Sequence, residues 1–336
     1  MDKWQQGDLP ESALDAISQE ALRDTLRRFE MTESPVITDG EQTKPSFATY
    51  PIHGFENLAP DGVIIPFADG HTRQLPRLTS GPFRYTTYAS SYLNAARKLT
   101  NRPLKQAVIS ASALSLLYPQ EGIPHYSRKQ FLEDLLAEVE KDIRGCLEAG
   151  ASSVQIDFTE GRLALKLDPS GRLLHQFVAL NNQVLERFSA EDTVRLGVHS
   201  CPGGDRDATH SADVDYTELL PKLFELKVTN FYLQMASESH RGRILEFIRG
   251  LIRPHQRVFV GVIDPINSKL ETADEVCARV LEAAEYIPVG QLGTADDCGF
   301  APFMDDTSTA RDLAFSKVAA RVKGTSIAAE RLRAQT

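Results

Sequence analysis

A chain of 336 residues with 42% hydrophobic composition is long enough to bury a full core. Its 37 basic and 46 acidic residues leave a net charge of −9, which argues against a nucleic-acid phosphate track or an anionic membrane surface as the main partner. No apolar run approaches the roughly 20 residues that span a bilayer, the N-terminus MDKWQQGDLPE is polar, and four cysteines are too few for a disulfide scaffold, so a cytoplasmic chain with reduced or metal-bound thiols is expected.

A first helix is expected around Leu14 to Phe29, ahead of any recognisable strand. Candidate strands then follow at Pro35–Asp39, Gln106–Ser110, Ser153–Asp157, Arg195–His199, Asn230–Gln234, Val258–Ile263 and Val289–Leu292. Residues 43–82 are rich in Pro, Gly and aromatics without either regular period, which predicts an inserted flap, read as a hairpin excursion. The clearest helix starts at Ser127. Ser127 and Gln130 have capping-box spacing, Phe131, Leu135, Val139, Ile143 and Leu147 recur every four residues, and Gly150 marks the end. Cys146 near that stripe and Cys277 within the expected helix Thr272–Tyr286 read as small buried hydrophobes. Strands alternating with helical patterns predict an α/β fold, a TIM (β/α)8 barrel, as a single domain over 1–336. A barrel of that kind opens with a strand, and none is recognisable here, so the first strand is missing or atypical.

Barrel enzymes carry their reactive groups at the C-terminal ends of the strands. LGVHSCPGG ends a strand in His199 and Cys201, and VGQLGTADDCGF places Cys298 just past the last strand, beside Gly299. Two thiols and an imidazole form a natural zinc set, although spacing alone is weak evidence and favours reading His199 as a structural polar residue at a strand end. Asp157 ends SSVQID with Glu160 in the next loop, and Asp39 and Glu41 end PVITDGE. Carboxylates so placed either bind a substrate ammonium and move protons, or cap helices and close turns.

Taken in order, DGE, QID with an acid three residues on, HSC and DDCGF resemble the catalytic barrel of the cobalamin-independent methionine synthases, in the short single-barrel form, over about residues 5–325. The resemblance implies a UROD/methionine-synthase-like barrel and an S-methyltransferase. It would move a methyl group from a methyl-folate or a methyl-corrinoid to the thiol of homocysteine, with Zn2+ as cofactor. Matched residue by residue, it assigns metal ligation to His199, Cys201 and Cys298, and catalysis to Asp157. Substrate binding falls to Glu41, Asp157 and Glu160.

Three positions depart from the pattern. Where the family has a glutamate ligand, NFYLQMAS offers Gln234, with Glu238 as the substitute four residues on. The opening strand that cradles the homocysteine carboxylate in that family has no counterpart before Trp4, which reads as a chain truncated at its start or as a true variant. Trp4 is the single tryptophan, so no folate-stacking tryptophan stands near KQAVISASALSLL. Asp264 and Asn267 occupy the loop where long members place a histidine, and Asp264 before Pro265 also reads as a turn. Two rival readings follow. One is alkylation of another thiol, with an epoxide-type electrophile, in which a basic residue such as Arg77, Arg84 or Arg241 would line the pocket. The other is a barrel without catalysis that acts as a binding protein. The expected partners are a small thiol acceptor and a methyl donor, with homo-oligomerisation left open.

Overall fold

The computed structural model describes residues 11–334. Helix α1 (Glu11–Met31) comes first and is followed, within the flap, by four short strands: β1 (Leu58–Ala59), β2 (Ile64–Pro66), β3 (Thr72–Gln74) and β4 (Arg77–Leu78). Next come α2 (Ala89–Arg97), β5 (Lys105–Ile109), α3 (Ala111–Ser115), α4 (Arg128–Glu148), β6 (Ser153–Asp157), α5 (Glu160–Leu167), α6 (Arg172–Leu185) and α7 (Ala190–Thr193). The C-terminal half continues through β7 (Leu196–Ser200), β8 (Gly204–Asp205), β9 (Ala208–Thr209), α8 (Tyr216–Leu223), β10 (Asn230–Leu233), α9 (Arg241–Leu251), β11 (Arg257–Ile263), α10 (Ala273–Ala284), β12 (Leu292–Asp296) and α11 (Arg311–Arg333).

The central sheet has the order β12-β11-β10-β7-β6-β5, with every pairing parallel. A parallel bridge between Ile37 and Leu104 adds one more rung beyond β5. Helices between successive parallel strands cover the outer face, which is the pattern of βα units around a barrel. Among the described residues no ladder joins the Ile37 end to β12, and the stretch ahead of α1, where an opening strand is expected, lies outside them. The C-terminal helix α11 packs back on α1 beside that seam, with Arg28 and Arg311 paired to Asp312 and Asp24 and with Phe29 edge-on to Phe315.

Two expected strands are corrected. Over Pro35–Asp39 only Ile37 bridges, through Lys105 N–H to Ile37 O and Ile37 N–H to Pro103 O. Pro35 has no N–H to give, and Thr38 and Asp39 accept from the Gly40 and Glu41 N–H groups instead, which turns the chain. At Val289–Leu292 the residues Val289–Gln291 form a 3-10 turn after Pro288, and the strand starts at Leu292. Pro288 initiates that turn and the Gln291 amide fastens it to the Arg253 and Gln256 carbonyls, so the apolar run is spent before the ladder begins.

The expected capping box at Ser127 and Gln130 is present and starts α4, and Gly150 takes a left-handed φ of 84° just past its end. Cys146 and Cys277 are fully buried in helices, as expected. The flap contains the antiparallel hairpin β2–β3 and a second small pair, β1–β4. No helix among the described residues is long and apolar enough to cross a membrane.

Candidate metal centre and substrate site

β7 ends the sheet's middle with Leu196–Ser200 wholly buried, which brings His199 to the inner face and Cys201 to the first residue beyond the strand. Cys298 follows β12. The ligand atoms of His199, Cys201 and Cys298 lie within 4.8 Å of one another, and the two sulfurs are 3.3 Å apart. His199 Nδ1 faces the Tyr232 carbonyl at 3.2 Å, and a proton on Nδ1 leaves the Nε2 lone pair available for a metal. Backbone N–H groups of Gly203 and Gly204 reach the sulfurs of Cys201 and Cys298 respectively. These donors suit thiolates.

The thiols share protons unequally. The Cys201 S–H and His199 draw Cys298 toward thiolate, while the Cys298 sulfur and burial keep Cys201 protonated. Burial opposes charge on His199, but Cys298 and Asp157 outweigh it and raise its pKa. Two sulfurs and one imidazole nitrogen, converging with donors behind the sulfurs, fit a soft-to-borderline metal ion. Gly203 permits this close turn. Its φ is 69°, and a Cβ there would fall 1.8 Å from His210 Nε2.

Asp297, which no motif assigned to a role, ties the two halves of the centre together. Its carboxylate accepts from the N–H groups of Met235, Ala236 and Ser237 and from Ser237 Oγ, all at 2.8 Å. The loop after β10 is thereby fixed to the residue preceding Cys298. Gly261 makes room, since a Cβ there would meet Asp297 Oδ1 at 1.8 Å.

The positions expected to supply a further ligand are otherwise engaged. Gln234 Oε1 accepts from Arg162 at 3.1 Å and Gln234 Nε2 donates to Ser237 Oγ at 2.6 Å. Glu238 pairs with the same guanidinium at 2.7 Å. Arg162, fully buried on α5, also donates to the Val214 and Ala212 carbonyls and stacks 4.8 Å from the Tyr216 ring. Its partners come from distant segments, so nothing local in EGRLALKL announces it.

Asp157 is paired in register with His199 across β6 and β7. Gln155 Nε2 donates to its Oδ1 at 2.8 Å. Burial, reinforced by Glu41, pushes its pKa up to about 6. The helix after it has Thr159 at its N-cap position and no side-chain cap bond, so Asp157 does no capping. Glu41 sits at a left-handed φ of 53° and receives Lys44 Nζ at 2.8 Å, with Lys44 itself buried against Tyr50 and bonded to the Ala107 carbonyl. Asp39 is buried in the turn that presents Glu41. Glu160 is buried on α5, where Ser110 Oγ donates to its Oε1 at 2.5 Å and Ser112 Oγ donates to the same oxygen. Its Oε2 has no protein partner, and burial pushes its pKa up to about 7.

The three arginines expected to line the pocket for another anion are paired elsewhere. Arg77 pairs with Asp61 and Arg84 with Asp134, while Arg241 pairs with Glu282 in a surface cavity of about 530 Å³ lined by Ser239–Arg243. Asp264 accepts from the Ile266 N–H in a turn, as expected. Trp4 lies outside the described residues.

No family model matches the chain. Among curated proteins, the methionine synthase of Thermococcus kodakarensis is 23% identical over 325 residues, covering 96% of this chain and 86% of that protein. The methionine synthase of Saccharolobus solfataricus is 24% identical over 209 residues, 62% of this chain. The chain is related to the methionine synthases. The match spans only 53% of the Saccharolobus methionine synthase. Among solved structures, a B12-independent methionine synthase from Shewanella sp. W3-18-1 in complex with selenomethionine superposes with a TM-score of 0.76 at 21% identity, covering 97% of this chain and 92% of that one. A putative B12-independent methionine synthase from Listeria monocytogenes gives 0.70 at 22% identity with the same coverage. The fold is therefore the methionine-synthase type of barrel, and among the described residues it lacks the ladder that would close it.

Proposed function

We propose that the chain is a zinc-dependent S-methyltransferase that transfers a methyl group to the thiol of homocysteine, with His199, Cys201 and Cys298 as the metal ligands. The observation that carries this reading is the convergence of one imidazole and two thiols within 4.8 Å at the strand ends of a methionine-synthase-type barrel. A three-ligand set leaves a position for the substrate sulfur. It is supported by the engagement of Gln234 and Glu238 with Arg162, which turns both toward a buried guanidinium.

Zinc bound there would act as a Lewis acid that lowers the pKa of the acceptor thiol and holds it as thiolate. The protein's own residues then orient the acceptor. The Asp157 carboxylate lies near His199 and is close enough to Glu41 to feel its charge, a pairing of carboxylates that suits an ammonium group and disfavours a second anion. Lys44 neutralises part of that charge from behind Glu41, so the pair persists without an occupant. Glu160 waits with one unpartnered oxygen and a pKa near neutrality, a group able to give or take a hydrogen bond from a donor's polar head. The methyl donor, folate or corrinoid, is the finer part of the proposal, and the missing stacking tryptophan favours the corrinoid.

The test pairs elemental analysis with turnover. Purified protein should carry close to one zinc per chain, and Cys298→Ser should lose most of it. Wild type should form methionine from homocysteine with at least one of the two donors. Zinc-loaded protein inactive with both donors would overturn the reaction while leaving the metal centre intact.

A further inference from the structure

Two residues below the substrate site have no role in the reading above. Lys105 opens β5 and Gln155 stands at the middle of β6, in a register that pairs Lys105 with Ser153 and Ala107 with Gln155. Lys105 Nζ donates to Gln155 Oε1 at 2.6 Å, and Gln155 Nε2 donates onward to Asp157 Oδ1 at 2.8 Å. A side-chain amide has one accepting end and one donating end. Flipped by a half turn, Gln155 would set its N–H against an ammonium and its oxygen against a carboxylate, losing both contacts. The cation therefore selects the amide orientation, and the amide fixes the carboxylate oxygen.

The Lys105 ammonium meets an amide oxygen and the Tyr232 ring, 4.3 Å away, rather than a carboxylate. Burial works against this charge and draws its pKa down to about 8. An apolar side chain would pack there at lower cost, so its charge calls for an explanation beyond packing. We propose that Lys105 and Gln155 are positioning residues for Asp157, a relay that locks the carboxylate in the orientation that receives the acceptor's amino group. The proposal deepens the reading of Asp157 as an ammonium-binding residue and rests on it for the identity of the acceptor.

Glutamine-selective 15N labelling of the metal-loaded protein gives a readout independent of turnover, with the Gln155 side-chain signal assigned by its loss in Gln155→Glu. In Lys105→Met the Gln155 amide protons should exchange about tenfold faster, and in Lys105→Arg, which keeps the donor, they should remain protected. KM for homocysteine should rise about tenfold in Lys105→Met and Gln155→Glu, with kcat changed much less, and Lys105→Arg should restore it. An unchanged Gln155 amide in folded Lys105→Met overturns the relay. A perturbed amide with unchanged KM overturns its functional part. If wild type takes no homocysteine, the acceptor reading fails by itself, and the amide exchange still decides whether Lys105 orients Gln155.

Discussion

Asp297 accepts four hydrogen bonds from three consecutive residues, and this makes it the most connected carboxylate at the candidate metal centre. Asparagine at this position keeps the shape but turns an N–H group toward those donors. Asp297→Asn should therefore cost about 2–4 kcal/mol in urea unfolding, because buried backbone N–H groups lose their acceptor. Its retention of zinc should fall with it, since the loop after β10 and Cys298 are no longer held together. A variant with unchanged stability and metal content would mean that the carboxylate is dispensable. The reasons Asp297 and Arg162 stayed illegible in the sequence are physical. Their partners lie about 60 or more residues away, or are backbone groups, and neither leaves a periodic trace. His199, Cys201 and Cys298 were legible because the HSC and DDCGF motifs resemble those of a known family, while their spacing alone was weak evidence and the convergence of their ligand atoms needed the fold.

At the scale of elements, helices declared themselves better than strands. α4 carries its start in Ser127 and Gln130 and its face in a four-residue period, both local properties. β12 was misplaced because Val289 and Leu292 look like a strand, while the ladder partner that decides the register, β11, is supplied from 29 or more residues upstream. The same holds for Ile37, whose neighbour is Leu104. The flap was legible as an irregular stretch, but not its anchorage. Arg73 on β3 reaches Asp205 at 2.5 Å on β8 and Asp305 at 2.7 Å in the loop after Cys298, and stacks 4.2 Å from Phe303. His71 adds a second contact to Asp205, and Ala68 N–H bonds the Thr209 carbonyl. The hairpin is thus latched to the two loops that follow the cysteines. Arg73→Ala should speed limited proteolysis within residues 60–76 several-fold and raise the reactivity of Cys298 toward a thiol reagent. Cleavage at the wild-type rate would show that Ala68, His71 and apolar packing hold the hairpin without the arginine.

Across the whole molecule, the interior carries ionisable groups that set how stability responds to pH. Asp142, which accepts from Tyr50 Oη and from the Ala89 N–H, and Glu160 are both buried, and desolvation pushes their pKa values up to about 6 and about 7. Each folded carboxyl then holds its proton at a pH where the unfolded chain has released it, so stability falls as pH rises between the unfolded and folded values. His210 acts in the opposite sense. Burial lowers its pKa to about 4, so it contributes stability as pH rises from about 4 toward 6.5. Because these slopes oppose one another, the wild-type profile alone cannot apportion them, whereas a difference between two proteins can. Glu160→Gln keeps an acceptor for Ser110 and Ser112 and removes the titration. At pH 5 wild-type Glu160 is largely protonated, and by pH 8 it is a buried anion with one unpartnered oxygen. Relative to wild type, the variant should gain roughly 2–3 kcal/mol between pH 5 and pH 8, read as a relative Tm increase of a few degrees. A difference between the two proteins that stays constant over that range would mean that Glu160 titrates near its ordinary value, and that its two serine donors offset its burial in full.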